Sequence, residues 1–227
     1  MKIAVLSDTH GLLRPEAAKV ISECDAVIHG GDINSQKIVD EIKAAAKERA
    51  PVYIVRGNND KEWAEYLPHH LEFTLEGQNF HVIHNKKELP DDLGDRQIII
   101  FGHSHRYFVE KKEGRLWLNP GSCGKRRFGQ DITLAVLRIE AGTCSVERID
   151  IEHEAAGKKA APPEGDLLST IRKILDRMEK GQQVERIAAD MKLDREFVEQ
   201  ICRIKVTHPG VTAHGIMDKI EVNRTGC

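Results

Sequence analysis

Five short polar clusters carry the chemistry in this sequence: Asp8-Thr9-His10, Gly30-Gly31-Asp32, Gly57-Asn58-Asn59-Asp60, His84-Asn85 and Gly102-His103-Ser104-His105. Together they offer carboxylate, imidazole and carboxamide groups, a nitrogen and oxygen donor set suited to first-row divalent metals. One such pair would mean little, because Gly-Asp and Asn-Asp dipeptides usually mark turns. Five in a row, each following a short apolar run, are hard to reach through turn chemistry alone. The sequence therefore points to a metal site built from distant loops. The histidines at 29, 69, 70 and 81 lie outside the clusters and are not assigned to metal.

The apolar runs in front of the clusters read as strands. Lys2 to Leu6, Ala26 to His29 and Val52 to Val55 alternate with helical patterns over Pro15 to Glu23 and Ser35 to Arg49. Pro15 suits a first helical turn and Ser35 an N-cap. This β-α-β-α-β rhythm implies parallel strands with crossover helices and a sheet covered on both faces. The carboxyl ends of such strands open onto one crevice, where their loops can gather ligands. Beyond residue 70 the pattern changes to hairpins. Leu71 to Leu75 and Asn79 to Ile83 flank Glu76-Gly77-Gln78. Strands follow at Ile98 to Phe101, Tyr107 to Lys111, Arg115 to Leu118, Ile132 to Ile139 and Ser145 to Ile149, with antiparallel turns at Glu113-Gly114 and Ala141-Gly142.

At these clusters the sequence resembles the calcineurin-like metallophosphoesterase superfamily, whose signature runs Asp-x-His, Gly-Asp, Gly-Asn-(His or variant), a later His, and Gly-His-x-His. It is most similar to the small prokaryotic, YfcE-like phosphodiesterases, sharing the Met-Lys-Ile start, Gly-Asn-x-Asp at 57–60 and the run Leu118-Asn119-Pro120-Gly121-Ser122. The resemblance covers residues 1–151 and implies an α/β fold: a calcineurin-like β-sandwich flanked by helices. It also implies two divalent metal ions. Asp8, His10, Asp32 and His105 would take one ion; Asp32, Asn58, His84 and His103 would take the other, with Asp32 bridging. The activity implied is hydrolysis of phosphate esters, diesters in particular, by attack of a metal-bridging hydroxide. Related phosphodiesterases are commonly active with Mn²⁺, the preferred ion; Fe, Ni and Zn suit the same donors.

Two positions depart from the family pattern. Asn59 stands where many members carry His; it can donate a hydrogen bond but cannot protonate a leaving oxygen. Together with Asp60, read as orienting the loop, it is the candidate catalytic pair beyond the metal ligands. Asn85 stands where the family often has Gly, and reads as a tolerated left-handed position. Lys125-Arg126-Arg127 could face a phosphate but reads more simply as a solvated charge run. Ser122 lacks a neighbouring base and reads as a turn residue, with Asn119 bracing the turn.

Composition narrows the setting. The chain has 227 residues, 40% of them hydrophobic, and a net charge of −2, so no global field draws it to nucleic acid or an anionic surface. Its apolar runs are far shorter than the roughly 20 residues of a membrane span. Five scattered cysteines without a Cys-x-x-Cys pair argue for inert thiols in a reducing cytoplasm, and no signal-peptide pattern opens the sequence.

Residues 1–152 therefore form the expected metallophosphoesterase domain, 153–165 a Gly/Pro/Ala-rich linker and 166–227 a small all-α appendage. In the last, Leu167 to Met178, Val184 to Met191 and Glu196 to Ile204 are helical, and Thr212 caps a final helix through Ile220. Asp194 caps the third of these elements after a tight turn, the outline of a helix-turn-helix. With 11 Lys and Arg against 10 Asp and Glu in residues 166–227, the appendage lacks the basic balance of a nucleic-acid reader. It reads instead as a bundle that packs on the catalytic domain or makes a homo-oligomer contact. Two competing functions remain. One is a nucleic-acid phosphodiesterase or regulator using the C-terminal helices, which the charge balance disfavours. The other is a protein-interaction scaffold on the same fold, exemplified by a retromer subunit, which predicts eroded ligands where every ligand position here is filled.

Overall fold

The computed structural model describes residues 1–125, 130–152 and 167–225. The chain divides into two compact units, one carried by the described residues up to 152 and the other by residues 167–225. The expected linker at 153–165 lies outside the described residues, as do Arg126 and Arg127; Lys125 is exposed.

The first unit is built on two five-stranded sheets. Strands β1 (Lys2–Leu6), β2 (Ala26–His29) and β3 (Val52–Ile54) pair in parallel through helices α1 (Pro15–Glu23) and α2 (Gln36–Ala45). Strand β9 (Thr133–Glu140) joins β1 antiparallel, and β10 (Thr143–Asp150) completes the order β10-β9-β1-β2-β3. The second sheet runs β4 (His70–Leu75), β5 (Gln78–Ile83), β6 (Ile98–Ile100), β8 (Arg115–Pro120) and β7 (Tyr107–Lys112), with β5, β6 and β8 parallel.

Strand alternation explains the layering. Ile3 and Val5 of β1 pack with Phe80, Val82, Ile98, Ile100 and Leu118 of the other sheet, while Ala4 and Leu6 turn to Ala17, Ile21, Val39 and Ile42 of the two helices. The first sheet is thus covered by helices on one face and by the second sheet on the other, a β-sandwich flanked by helices. On the far side of the second sheet, Ile83, Ile99 and Phe101 form a smaller cluster with Leu89, Leu93 and Trp117. There the Lys86 ammonium sits 4.7 Å from the Trp117 ring centre, 5.3 Å from Phe101 and 5.4 Å from Phe108.

Three local expectations need correction. Helix α2 stops at Ala45 instead of Arg49, because Ala46 is extended and Arg49 adopts φ 65° on the way to Pro51. Ser35 occupies the N-cap but makes no side-chain capping bond. Asn85 is extended, with φ −107°, rather than left-handed; its side chain accepts the Lys87 N–H at 3.1 Å and caps a short 3₁₀ turn over Lys86–Glu88. The hairpin turns at Glu76-Gly77, Glu113-Gly114 and Ala141-Gly142 all have positive φ at both residues, as two-residue hairpin loops require.

The second unit contains α3 (Leu167–Glu179), α4 (Val184–Met191), α5 (Arg195–Thr207) and α6 (Ala213–Thr225) around Leu167, Ile171, Ile174, Ile187, Phe197, Ile201 and Ile216. Left-handed Lys192 ends α4, and Asp194 Oδ1 accepts the Phe197 N–H at 3.2 Å to start α5. Thr212 Oγ1 accepts the Gly215 N–H at 3.2 Å, and α6 continues past Ile220 to Thr225. Cations of α5 are engaged within the unit: Arg195 with Glu185, Arg203 with Glu199, and Lys205 on the Val211 carbonyl. Among the described residues no helix is long and apolar enough to cross a membrane.

Candidate metal centre

All five polar clusters follow the carboxyl ends of parallel strands: β1, β2 and β3 in one sheet, β5 and β6 in the other. The seven residues expected to bind metal come together there in two groups that share Asp32. In the first, one ligand atom each from Asp8, His10, Asp32 and His105 lie within 4.8 Å of one another, a group that could hold a metal ion. His10 Nε2 is 3.8 Å from Asp8 Oδ1, 3.7 Å from Asp32 Oδ2 and 3.3 Å from His105 Nε2. In the second, Asn58 Oδ1 is 3.2 Å from His84 Nε2 and 2.9 Å from His103 Nδ1, and His84 Nε2 is 3.5 Å from Asp32 Oδ1.

The donor set fits a divalent cation on its own chemistry. Asp8 Oδ1 is buried and makes no hydrogen bond, although His105 Nε2 stands 3.1 Å away. A buried carboxylate oxygen facing imidazole nitrogens is costly unless a positive centre joins them. Ligands about 2.0–2.2 Å from a shared ion lie about 3–3.5 Å from each other, close to the separations within both groups. On the second group, His84 Nδ1 is 2.7 Å from the Gly30 carbonyl and keeps its proton there, so Nε2, which faces Asp32 and Asn58, is the atom free to give up its proton to a cation.

The local backbone is distorted to aim these groups. Asp8, His10, Asp32, His103 and His105 all have positive φ, between 45° and 69°. Such non-glycine positions are uncommon and cost energy, and they cluster where a site is assembled. The surroundings over-determine them. Asp8 Oδ2 accepts from Ser7 Oγ at 2.7 Å and the His103 N–H at 3.1 Å, and Ser122 Oγ donates to the Asp8 carbonyl at 2.9 Å. Ser122 is therefore a brace on Asp8, a role beyond its reading as a turn residue. Asn119, fully buried, accepts the Gly121 N–H and also donates to the Gly102 carbonyl at 2.8 Å and Ser104 Oγ at 3.1 Å. It braces the turn and also the loop that carries His103 and His105. That second duty was not readable from the sequence. Ser7 was missed too, being indistinguishable from any strand-end serine.

Asn59 and Asp60 are placed as supports. The Asn59 backbone N–H donates to Asp32 Oδ1 at 2.8 Å and its side-chain amide donates to Asp32 Oδ2. Asp60, 6% exposed, accepts the N–H groups of Ile33 at 2.8 Å, Asn34 at 2.7 Å and Gly57 at 2.8 Å. It thereby ties the Asp32 loop to the Asn58 loop. Close approach demands glycine at several points around the site; a Cβ on Gly57 would collide with Asp32 Oδ1, and one on Gly102 with Ser7 Oγ.

Electrostatics follow from burial and these contacts. Burial works against the Asp32 carboxylate, but hydrogen bonds from His84 and Asn59 outweigh it and hold the group well below the usual range. Asp8 is likewise lowered, burial being outweighed by His105. For His84, burial pulls downward, yet Asp32 and Asp8 lift the imidazole to about 9. Burial and the neighbouring His84 charge lower His103. Burial raises the Asp60 carboxyl despite its three backbone donors. Cys123, buried behind Asp8, is pushed up to about 12 by burial and is inert as a thiol.

Comparison with known proteins places this geometry. A probable metallophosphoesterase of Methanothermobacter thermautotrophicus is 31% identical over 170 residues, spanning 67% of this chain and 91% of the relative. A phosphodiesterase of Methanocaldococcus jannaschii is 28% identical over 144 residues, spanning 54% of this chain and 84% of the relative. Among solved structures, a single mutant of Vps29 from Entamoeba histolytica superposes with a TM-score of 0.53 at 19% identity, covering 67% of this chain and all of that one. That likeness establishes the fold. Residues 1–142 match the calcineurin-like phosphoesterase superfamily domain. With the five strand-end clusters intact and converging, the chain belongs to the calcineurin-like phosphoesterase superfamily.

Proposed function

We propose that this protein is a two-metal phosphodiesterase. The observation that carries the reading is the convergence of seven nitrogen and oxygen donors in two groups sharing Asp32. Asp8, His10, Asp32 and His105 would hold one ion, and Asp32, Asn58, His84 and His103 the other. When bound, the ions supply Lewis acidity toward the phosphoryl oxygens and a water-derived nucleophile at neutral pH. Mn²⁺ is the proposed ion and a phosphate diester the proposed substrate.

The protein's own part is orientation. Gly30 fixes the His84 proton on Nδ1, and Asn59 holds both oxygens of Asp32. An anionic Asp32 between the two groups offsets repulsion between cations, while neutral Asn58 ligates without adding charge. Asn59 donates to Asp32 through its backbone N–H and its side-chain amide, and an amide has no proton to give a leaving oxygen, so diesters and esters with good leaving groups are favoured. The reading includes a division into a catalytic domain, residues 1–152, and a helical domain, residues 166–227.

Hydrolysis of bis-p-nitrophenyl phosphate and p-nitrophenyl phosphate by metal-stripped protein, with and without Mn²⁺, tests the proposal. Mn²⁺-dependent cleavage favouring the diester, abolished by Asp32→Ala, is the expected result. Metal uptake without cleavage of either ester would favour an interaction scaffold, and turnover of an added alkyl monoester, glycerol phosphate, as fast as the diester would refute the role given to Asn59.

A further inference from the structure

His29 closes β2, is fully buried and belongs to neither ligand group. Its ring lies between two of the loops that form the site. Nδ1 accepts the Gly31 N–H at 3.1 Å, and Nε2 is 3.1 Å from Thr9 Oγ1. Because Nδ1 faces an amide donor, the proton belongs on Nε2, which donates to Thr9. Thr9 stands between Asp8 and His10, and Gly31 immediately precedes Asp32. One imidazole therefore spans the chain segments of three candidate ligands to the first ion. A hydrophobic residue could fill the same volume, but it would leave the buried Gly31 N–H without this acceptor and the buried Thr9 hydroxyl without this donor.

We propose that His29 is a positioning residue, a neutral strut that sets the spacing between the Asp8-Thr9-His10 loop and the Asp32 loop and so the metal affinity of the first group. The reason a strut matters is the backbone: Asp8, His10 and Asp32 have φ of 55°, 45° and 58°, and relaxation of any one would move its ligand atom. Further bonds converge on the same peptide units. Gly31 O accepts the Asp8 N–H at 2.9 Å, and Asp32 O accepts the His10 N–H at 3.0 Å. Loss of His29 would remove one side-chain member of this lattice and leave its backbone members and the Ser7 and Ser122 hydroxyls in place. Loosened ligands in a folded protein are the expected consequence. Outer supports of metal ligands typically account for about 10–100-fold in affinity.

The proposal rests on the two-metal reading, and its test separates the two. Calorimetric titration of the full chain with Mn²⁺, repeated with Zn²⁺, would be run on wild type, His29→Leu, His29→Gln, Thr9→Val and the His29→Leu/Thr9→Val pair, with circular dichroism reporting the fold. Expected are folded variants, Mn²⁺ affinity about 10–100-fold weaker in His29→Leu, weaker binding in Thr9→Val, and no further loss in the pair. His29→Gln, whose amide can donate to Thr9 in place of Nε2, should regain part of the affinity. Nitrogen NMR of wild type should show His29 protonated at Nε2 and bare at Nδ1. Wild-type affinity in folded His29→Leu, or additive losses in the pair, would overturn the strut. If His29→Leu does not fold, unchanged affinity in Thr9→Val overturns it instead. A wild-type chain that takes up neither ion would overturn the two-metal reading, and the strut with it.

Discussion

Asp60 offers the sharpest test of how the site is held together. Its carboxylate is buried and receives three backbone N–H groups, from Ile33 and Asn34 on Oδ1 and from Gly57 on Oδ2. Asp60→Asn keeps one acceptor oxygen. If that oxygen stays with Ile33 and Asn34, the new amide N–H₂ faces the Gly57 N–H, donor against donor; the flipped amide is worse, facing two. One buried donor left unsatisfied costs about 1–3 kcal/mol. Asp60→Ala removes both acceptor oxygens at once, leaves all three N–H donors without them, and should cost about 3 kcal/mol or more. Urea denaturation of metal-stripped protein reads these losses directly, and Mn²⁺ titration of the same variants reads the link to function. Both should weaken together, Ala more than Asn, because Asp60 joins the Asp32 and Asn58 loops. An Asp60→Ala protein as stable as wild type, or a destabilised one with unaltered metal affinity, would refute the reasoning.

Other expectations follow from the same geometry. His84 is lifted from 6.5 to about 9, so its protonation stabilises the metal-stripped fold fully below about pH 6.5, and that contribution, on the order of 3 kcal/mol, is lost as pH rises through 9. Denaturation of metal-stripped protein at pH 6.5 and 9.5 should show the loss, His84→Gln should remove it, and a bound cation should mask it. Asn119→Leu keeps volume but releases the His103 and His105 loop from its two side-chain bonds. We expect a loss of about 1–3 kcal/mol in stability and weaker Mn²⁺ binding, measured by denaturation and calorimetry. Gly102→Ala drives a Cβ into Ser7 Oγ and towards Asp8 Oδ2 and should impair metal binding, with the same titration as the check. Lys86→Gln removes the ammonium from three aromatic rings and should cost about 0.5–2 kcal/mol in thermal or urea unfolding.

The sequence by itself determined the elements and the ligand types. Strands β1 and β2 and helix α1 lie where apolar runs and Pro15 place them, because strand alternation and first-turn proline act over a few residues. The Asp-x-His, Gly-Asp, Gly-Asn and Gly-His-x-His clusters were legible for a similar reason: donor chemistry is a property of residue type, and each cluster sits directly after its strand. Tertiary structure decided everything that depends on contacts between distant segments. Asn85 looked like a left-handed position and is an extended cap, since its conformation answers to the turn that follows it. Asn119 and Ser7 gained their roles only when the 102–105 loop and Asp8 were brought beside them. Asn59 and Asp60 were legible as residues near a site, but their partners, Asp32 and the amides of Ile33, Asn34 and Gly57, are set by the meeting of the β2 and β3 loops. His29 carries no motif at all. What makes it a candidate strut is its burial between Thr9 and Gly31, where a polar ring must find partners for both nitrogens.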